Sequence, residues 1–393
     1  YTPKPIVRLM WFLIRDVLKQ TKNRDLFQKG KPLLDILDPA YGSGTFLYEA
    51  ILHINQSAVG KSITKDGKVW AFIKDREKDF KVEDHLYGFE INPLSKSISD
   101  VNLFFGLIQA YGINNLEKVS VEHLNIYRTN SFELNVDNNI EESTASLLPF
   151  MAEDLKYSLE EKKEVLNAKI KKYDIIIANP PYGHTTPTEF MKNELIPFAY
   201  AENNFDNNGN EISFSWNSNK LFKPKIPTNE KNKGKLRDMY AFFFGIGDKL
   251  LKPGGVLCYI TSNTYLSTPT YKWLRKYLLH NYTIHYIINF NNVSEQSNSM
   301  FSPEAGIATS IIVIEKKVPL ENHYINYLDI SEINTIRNKY NYFSNIEWNS
   351  NNIVNLTKND IKCFSIKPLS DLNFEKHLQR DFLKHNDYIF KKD

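Results

Sequence analysis

The sequence predicts an α/β fold of Rossmann-like type, a mostly parallel sheet covered by helices, and three observations lead there. From Leu33 to about Glu315, short apolar runs alternate with longer stretches of helical periodicity, the pattern of βαβ units. The first run empties into a glycine-rich turn, Asp38-Pro39-Ala40-Tyr41-Gly42-Ser43-Gly44, and the second ends in an acid, Glu90. A turn and an acid so arranged are what a ligand crevice at the carboxyl edge of an open sheet uses.

Seven runs read as strands: Leu33 to Leu37, Leu86 to Phe89, Val119 to Tyr127, Tyr173 to Ala178, Val256 to Thr261, Thr283 to Phe290 and Ala308 to Glu315. Pro93 to Tyr111 reads as a helix, with Asn92 as its cap and Pro93 presetting the first turn. Its Ile98, Val101, Leu103, Phe105 and Leu107 supply a buried face. A second helix, Asp238 to Leu251, stops at Lys252-Pro253-Gly254-Gly255, a turn into the next strand. Three stretches break the alternation: residues 56–85, residues 134–172 with a charged helix around Glu153 to Lys172, and residues 183–235. Loops of that size in a compact domain serve a function or are disordered, and these are taken as insertions. The mixed signs of the charged helix mark an exposed face. Past about Val318 the chain turns rich in Asn, Tyr and Ile, so one domain is expected over residues 1–317 and a separate segment over 318–393.

Composition narrows the class. A chain of 393 residues buries roughly 75% of its unfolded surface and needs no disulfide staples. Its two cysteines, Cys258 and Cys363, lie far apart with no CxxC or HExxH, which argues against a zinc site of familiar spacing and for a reducing cytoplasm. No apolar run approaches the ~20 residues of a membrane span. Tyr1 to Ile14 lacks the marks of a signal peptide, and the chain reads as an internal fragment of a larger protein. A net charge of +3 is too small to identify a polyanionic partner, so local clustering matters more.

Chemistry is carried by two motifs. In the first, Gly42 and Gly44 let a ligand approach the backbone closely. Leu47 stands where a nicotinamide-binding turn wants a third small residue, and the turn has no Lys for a phosphate loop. What remains is a turn that packs against a nucleoside and amino-acid moiety, with Glu90 accepting from ribose hydroxyls. In the second, the strand Tyr173 to Ala178 delivers Asn179-Pro180-Pro181-Tyr182 at its carboxyl end. Two prolines stiffen the loop and hold the Asn179 amide and the Pro180 carbonyl as a pair of acceptors. Two acceptors suit an amino group such as adenine's exocyclic nitrogen, whose delocalised lone pair they would localise for attack on a methyl donor. Tyr182 offers a face on which an extracted base stacks. Alone, each motif also reads as ordinary turn chemistry; their order along the chain favours the functional reading.

These residues resemble the S-adenosylmethionine-dependent amino-methyltransferases, and the motif order resembles the gamma class of adenine-N6 DNA methyltransferases over most of Tyr1 to about Lys317. Tyr1, Thr2 and Pro3 resemble the first cofactor motif of that class. Asp38, Ala40, Gly42, Ser43, Gly44 and Phe46 resemble the methionine-binding turn, and Glu90 with Ile91 the ribose and adenine contacts. Asn130, Ser131 and Phe132 fall where an Asp usually contacts the cofactor's adenine, and Asn130 departs from that pattern. Gly255 to Asn263 resembles the fifth-strand region, and Phe301, in the segment to Thr309, resembles the aromatic residue packed on the flipped base. The resemblance implies a seven-stranded sheet with one antiparallel strand, S-adenosylmethionine as cofactor, double-stranded DNA as partner and a bacterial or archaeal cytoplasm. The long insertions are closer to large single-chain restriction-modification enzymes of type IIG or type ISP. In such proteins a nuclease precedes this domain and a target-recognition region follows, which makes residues 318–393 a connector or the start of that region.

Lys220 to Arg237 holds seven basic residues against one acid, Glu230. Lys223, Lys225, Lys231, Lys233, Lys235 and Arg237 are the candidates for phosphate contacts, with a solvated surface loop as the bland alternative. Two competing functions stay open: an amino-methyltransferase acting on a protein glutamine or an RNA adenine, and a catalytically silent DNA-binding module of the same fold.

Overall fold

A computed structural model describes residues 2–28, 31–59, 82–111, 124–133, 159–186, 188, 191, 195, 238–268, 271–290, 307–333, 336–344 and 367–384. Strands β1 (Ile36–Asp38), β2 (Leu86–Glu90), β3 (Ile126–Arg128), β4 (Tyr173–Ala178), β5 (Leu251–Ser262), β6 (Thr283–Asn289), β7 (Thr309–Glu315), β8 (Tyr324–Asp329) and β9 (Glu375–Leu378) form one sheet in the order β3-β2-β1-β4-β5-β7-β6-β8-β9. From β3 to β5 every pairing is parallel, while β7 runs antiparallel between β5 and β6.

Seven strands were expected and the sheet has nine among the described residues. β8 adds parallel to β6, and β9 antiparallel to β8. The reason lies in β8 itself: Ile325, Tyr327 and Leu328 are buried, so this strand finds its apolar partners on the sheet although it lies beyond residue 317. The sheet thus runs across the boundary expected there.

Both sheet faces are covered, as expected of parallel strands that read as unbroken apolar runs. Ile36, Ile175, Ile177, Val256, Cys258 and Ile260 point into one core layer; Leu37, Ile176, Ala178, Leu257 and Tyr259 alternate into the other. The first layer is closed by α1 (Lys4–Lys22), α2 (Thr45–Val59) and α3 (Pro93–Tyr111), and the second by α4 (Leu159–Ile170), α5 (Met239–Leu250), the short α6 (Thr264–Ser267) and α7 (Lys272–Asn281). Farther along lie α8 (Ile336–Phe343) and α9 (Asp381–Lys384). No described helix is long and apolar enough to cross a membrane.

Helix α1 is buried on nearly every side, from Ile6 to Leu18. It starts behind Pro3, carries Pro5 in its first turn, where a missing N–H costs nothing, and ends at Asn23 in the left-handed conformation at φ 45°. Its buried Arg15 is neutralised by Asp25 through two bonds of 2.8 Å. The α3 cap is as expected, with Asn92 Oδ1 accepting from the N–H groups of Leu94 at 2.9 Å and Ser95 at 3.2 Å.

Two details differ from the sequence reading. On α3, Leu103 and Leu107 are buried, but Ile98, Val101 and Phe105 are exposed, because the helix turns its 99–103–107 stripe toward α2. β5 begins at Leu251, directly after α5, and not past a separate turn. Three extra residues are absorbed as an irregularity between the Tyr173–Leu251 and Ile175–Val256 pairs, with Gly254 at φ 71°. The described parts of the first two insertions also join the fold: α2 continues to Val59, Val82 and Glu83 are buried, and α4 packs Val165, Ala168 and Lys169 inward.

Candidate active site at the carboxyl edge of the sheet

The strand order reverses at β1, whose neighbours β2 and β4 lead away in opposite directions. A crevice at the carboxyl ends of such strands is the standard ligand position in open α/β sheets. Three chain segments meet there: the turn after β1, the end of β2, and the loop after β4.

The turn is held from several directions. Gly42 and Gly44 adopt φ 52° and 75°, conformations that L side chains rarely take. A Cβ on Gly44 would sit 2.9 Å from Tyr41 Oη and 3.1 Å from Ser99 Cβ, whereas one on Gly42 would meet nothing closer than 3.7 Å. Gly44 therefore serves the packing behind the turn, and Gly42 leaves its front open. Glu90 Oε2 accepts from Gly42 N–H at 2.7 Å and its Oε1 from Asn92 N–H at 2.7 Å. Asn102 on α3 donates to Ser43 O at 3.0 Å, and the Ser43 and Thr45 hydroxyls share a bond of 2.9 Å.

Asp38 closes β1 fully buried, with Oδ1 accepting from Ala40 N–H at 3.0 Å and Oδ2 lacking any donor. Burial pushes its pKa well above the usual carboxylate range, and the nearby negative charge of Glu90 pushes the same way. After β3, Ser131 Oγ donates to Pro39 O at 2.5 Å, which fastens this loop to the glycine turn. Asn130 spends its side chain locally: Oδ1 accepts from Phe132 N–H at 3.0 Å and Nδ2 donates to Glu133 Oε1 at 3.2 Å. The Phe132 ring packs edge-on against Phe242 and Phe243 of α5. Beside it, buried Lys169 donates to Glu133 O at 2.7 Å, and burial brings its pKa down to about 8.

At the end of β4, Asn179 Nδ2 donates to Thr2 Oγ1 at 3.0 Å, while Asn179 Oδ1 is shielded from solvent and accepts nothing. Tyr182 is half-buried, with its hydroxyl 3.4 Å from Ile260 O and its pKa raised by burial. The chain beyond is clamped to the start of α5: Met239 N–H donates to Gly183 O at 2.9 Å, and His184 Nδ1 lies 2.9 Å from Asp238.

The structure thus brings Thr2, Asp38, Ala40, Gly42, Ser43, Gly44, Glu90, Ser131 and Asn179 to Tyr182 to one sheet edge. Three predicted residues do other work. Phe46 points into the core, and its carbonyl accepts from Trp11 Nε1 at 3.0 Å. Pro3 starts α1, its carbonyl accepting from Ile6 and Val7. Ile91 is 38% exposed at the rim. Tyr1, Phe301 and the basic candidates Lys223, Lys225, Lys231, Lys233, Lys235 and Arg237 lie outside the described residues. Asn102 and the His184–Asp238 pair were missed by sequence reasoning, since nothing local marks partners 59 and 54 positions apart.

A Rossmann-like sheet with β7 inserted antiparallel, a glycine turn after β1 and Asn-Pro-Pro-Tyr after β4 defines a methyltransferase-type domain. A family model described as "Eco57I restriction-modification methylase" matches residues 84–295, more than half of the chain, and the chain belongs to that family. No curated protein matches it. Among solved structures, it is similar to a nuclease-deletion mutant of the type ISP restriction-modification enzyme LlaGI in complex with a DNA substrate mimic, with TM-score 0.63 and 18% identity over 100% of this chain and 27% of that one. It is also similar to the protein of a DrdV–DNA complex (0.60, 17%, 98% and 31%) and to the ATP-dependent type ISP enzyme LlaBIII bound to DNA (0.60, 21%, 87% and 20%). At these identities the likeness concerns the fold, and the chain spans between a fifth and a third of those proteins.

Proposed function

We propose that this protein transfers a methyl group from S-adenosylmethionine to the exocyclic N6 of an adenine flipped out of double-stranded DNA, as the modification activity of a restriction-modification system. The observation that carries this reading is the unpartnered, buried Oδ1 of Asn179 at the switch point of the sheet. A buried acceptor without a donor costs about 1–3 kcal/mol, and that cost is recovered when a substrate N–H arrives.

The donor set fits the cofactor. Asp38 Oδ2 is a buried acceptor without a donor, suited to a cationic or N–H group of the amino-acid moiety. The Glu90 carboxylate can accept from ribose hydroxyls in addition to its two amide donors. Gly42 presents open space where a side chain would intrude. Bound S-adenosylmethionine supplies an electrophilic methyl group on a positively charged sulfur.

The chain's own part in the reaction is positioning and acceptance. Asn179 Oδ1 and the Pro180 carbonyl take hydrogen bonds from the target amine, which draws electron density back onto its nitrogen as the N–CH3 bond forms and the S–CH3 bond breaks. The surplus amine proton passes to solvent, and the sulfur leaves as a neutral thioether. Pro180 and Pro181 stiffen the main chain that carries these acceptors. Tyr182 stacks on the extruded base, and Ser131 holds the loop after β3 against the glycine turn on the cofactor side. Lys223, Lys225, Lys231, Lys233, Lys235 and Arg237 neutralise phosphates beside the flipped base.

The experiment is methyl transfer from labelled S-adenosylmethionine to mixed-sequence DNA by the wild-type protein and Asn179→Ala, with the modified nucleoside identified by mass spectrometry. N6-methyladenine formed by the wild type and lost in the variant is expected. Label in protein or RNA would replace this reading with that of another amino-methyltransferase, and cofactor binding without transfer would leave a silent module.

A further inference from the structure

Thr2 is 5% exposed and is separated only by Pro3 from α1, a helix buried against the sheet and α2. Preceding Pro3, it is restricted to extended backbone. Its Oγ1 receives the N–H of Asn179 at 3.0 Å across 177 positions of sequence. On the other side of the same amide, Oδ1 is buried and accepts nothing.

A carboxamide has one accepting end and one donating end, and a half-turn about its last torsion exchanges them. With Nδ2 given to Thr2, the oxygen is the end left for a substrate amine. The opposite orientation would set N–H against N–H and remove the acceptor that methyl transfer to an amine requires. Pro180 and Pro181 stiffen the main chain but leave this side-chain torsion free, so a side-chain partner has to set it.

We propose that Thr2 is a positioning residue for methyl transfer, its hydroxyl tethering the Asn179 carboxamide through Nδ2 so that Oδ1 stays available to the target amine. The inference rests on the reading of Asn179 as the acceptor for that amine. It differs from the cofactor-binding role that the resemblance implies for Thr2, and the two roles separate in kinetics. A cofactor ligand governs the dissociation constant for S-adenosylmethionine, whereas a group that orients the acceptor governs kcat.

The test compares wild type, Thr2→Val and Thr2→Ser in kcat for N6-methyladenine formation and, by calorimetry, in the dissociation constant for S-adenosylmethionine. Loss of one orienting hydrogen bond is expected to lower kcat of Thr2→Val about tenfold. Cofactor affinity should stay within about twofold, and Thr2→Ser, which keeps the hydroxyl, should recover kcat to within about threefold. An unchanged kcat in Thr2→Val overturns the inference. So does cofactor affinity that weakens as much as kcat/KM falls. Should Thr2→Val not fold, Thr2→Ser decides: a tenfold loss of kcat with intact cofactor binding overturns it, and near-wild-type kcat upholds it against Asn179→Ala, which keeps cofactor binding and loses transfer. A wild-type protein that binds S-adenosylmethionine and forms no N6-methyladenine overturns the underlying reading and this inference with it.

Discussion

Glu90 Oε2 accepts a hydrogen bond from the Gly42 main-chain N–H at 2.7 Å, so the acid at the end of β2 also sets the shape of the turn after β1. The same carboxylate also accepts from Asn92 N–H at 2.7 Å, and in the proposed function its remaining lone pairs serve the ribose hydroxyls. Charge-assisted bonds of this kind are worth roughly 1.5–3 kcal/mol each. Glu90→Ala is expected to weaken S-adenosylmethionine binding tenfold or more in calorimetry while DNA affinity in a gel-shift assay stays within about twofold. Unchanged cofactor affinity would show that the carboxylate faces only the backbone.

The two glycines of the turn should respond differently to alanine. At Gly44 a Cβ meets Tyr41 and Ser99 at 2.9–3.1 Å on top of an unfavourable φ, whereas at Gly42 only the φ of 52° is at issue. The left-handed conformation costs an L residue roughly 1–2 kcal/mol. Gly44→Ala should lower the urea midpoint clearly more than Gly42→Ala, and Gly42→Ala should show its larger effect on cofactor affinity. Equal losses of stability would mean that Tyr41 and Ser99 yield without cost.

How much of this was legible in the sequence depended on the distance over which the cause acts. The glycine turn, Glu90 and Asn179 were found because a strand, a turn and a cap are written in consecutive residues. The Thr2–Asn179 contact was invisible because it depends on how α1 packs. The composition shift past Val318 points to a separate segment, whereas the place of β8 in the sheet rests on the burial of Ile325, Tyr327 and Leu328 against distant strands. On α3 the apolar residues fall in two phases: Ile98, Val101 and Phe105 share one stripe, Leu103 and Leu107 another. Gly106 was the signal that chose between them, since a Cβ there would sit 2.9 Å from Tyr48 and 3.2 Å from Ile51 of α2.

That phase gives a stability prediction. Ile98→Lys and Val101→Lys replace half-exposed side chains and should change unfolding free energy by no more than about 0.5 kcal/mol. Leu103→Ala and Leu107→Ala open cavities in the contact with α2 and should cost about 2–5 kcal/mol. Urea denaturation of the four variants checks it, and a large loss from the lysine pair would mean that the exposed stripe is covered in solution.

Asp38 ties the site to pH. Its carboxyl is fully buried with one oxygen unpartnered, and its folded pKa lies well above that of the unfolded chain, which is about 3.9. The folded protein therefore holds a proton that the unfolded chain has released. Stability from this group is present at acid pH and is lost as pH rises above about 4 toward the folded pKa, by up to about 1.4 kcal/mol per pH unit. Asp38→Asn keeps the shape and removes the charge, so its urea midpoint should match the wild type near pH 4 and exceed it at pH 8. Cofactor binding should move the opposite way, weakening in Asp38→Asn, because a bound cationic group favours the ionised carboxylate that burial disfavours in its absence, and Asn offers it no charge. A variant no more stable than wild type at pH 8 would mean that the ionised carboxylate is already compensated within the protein.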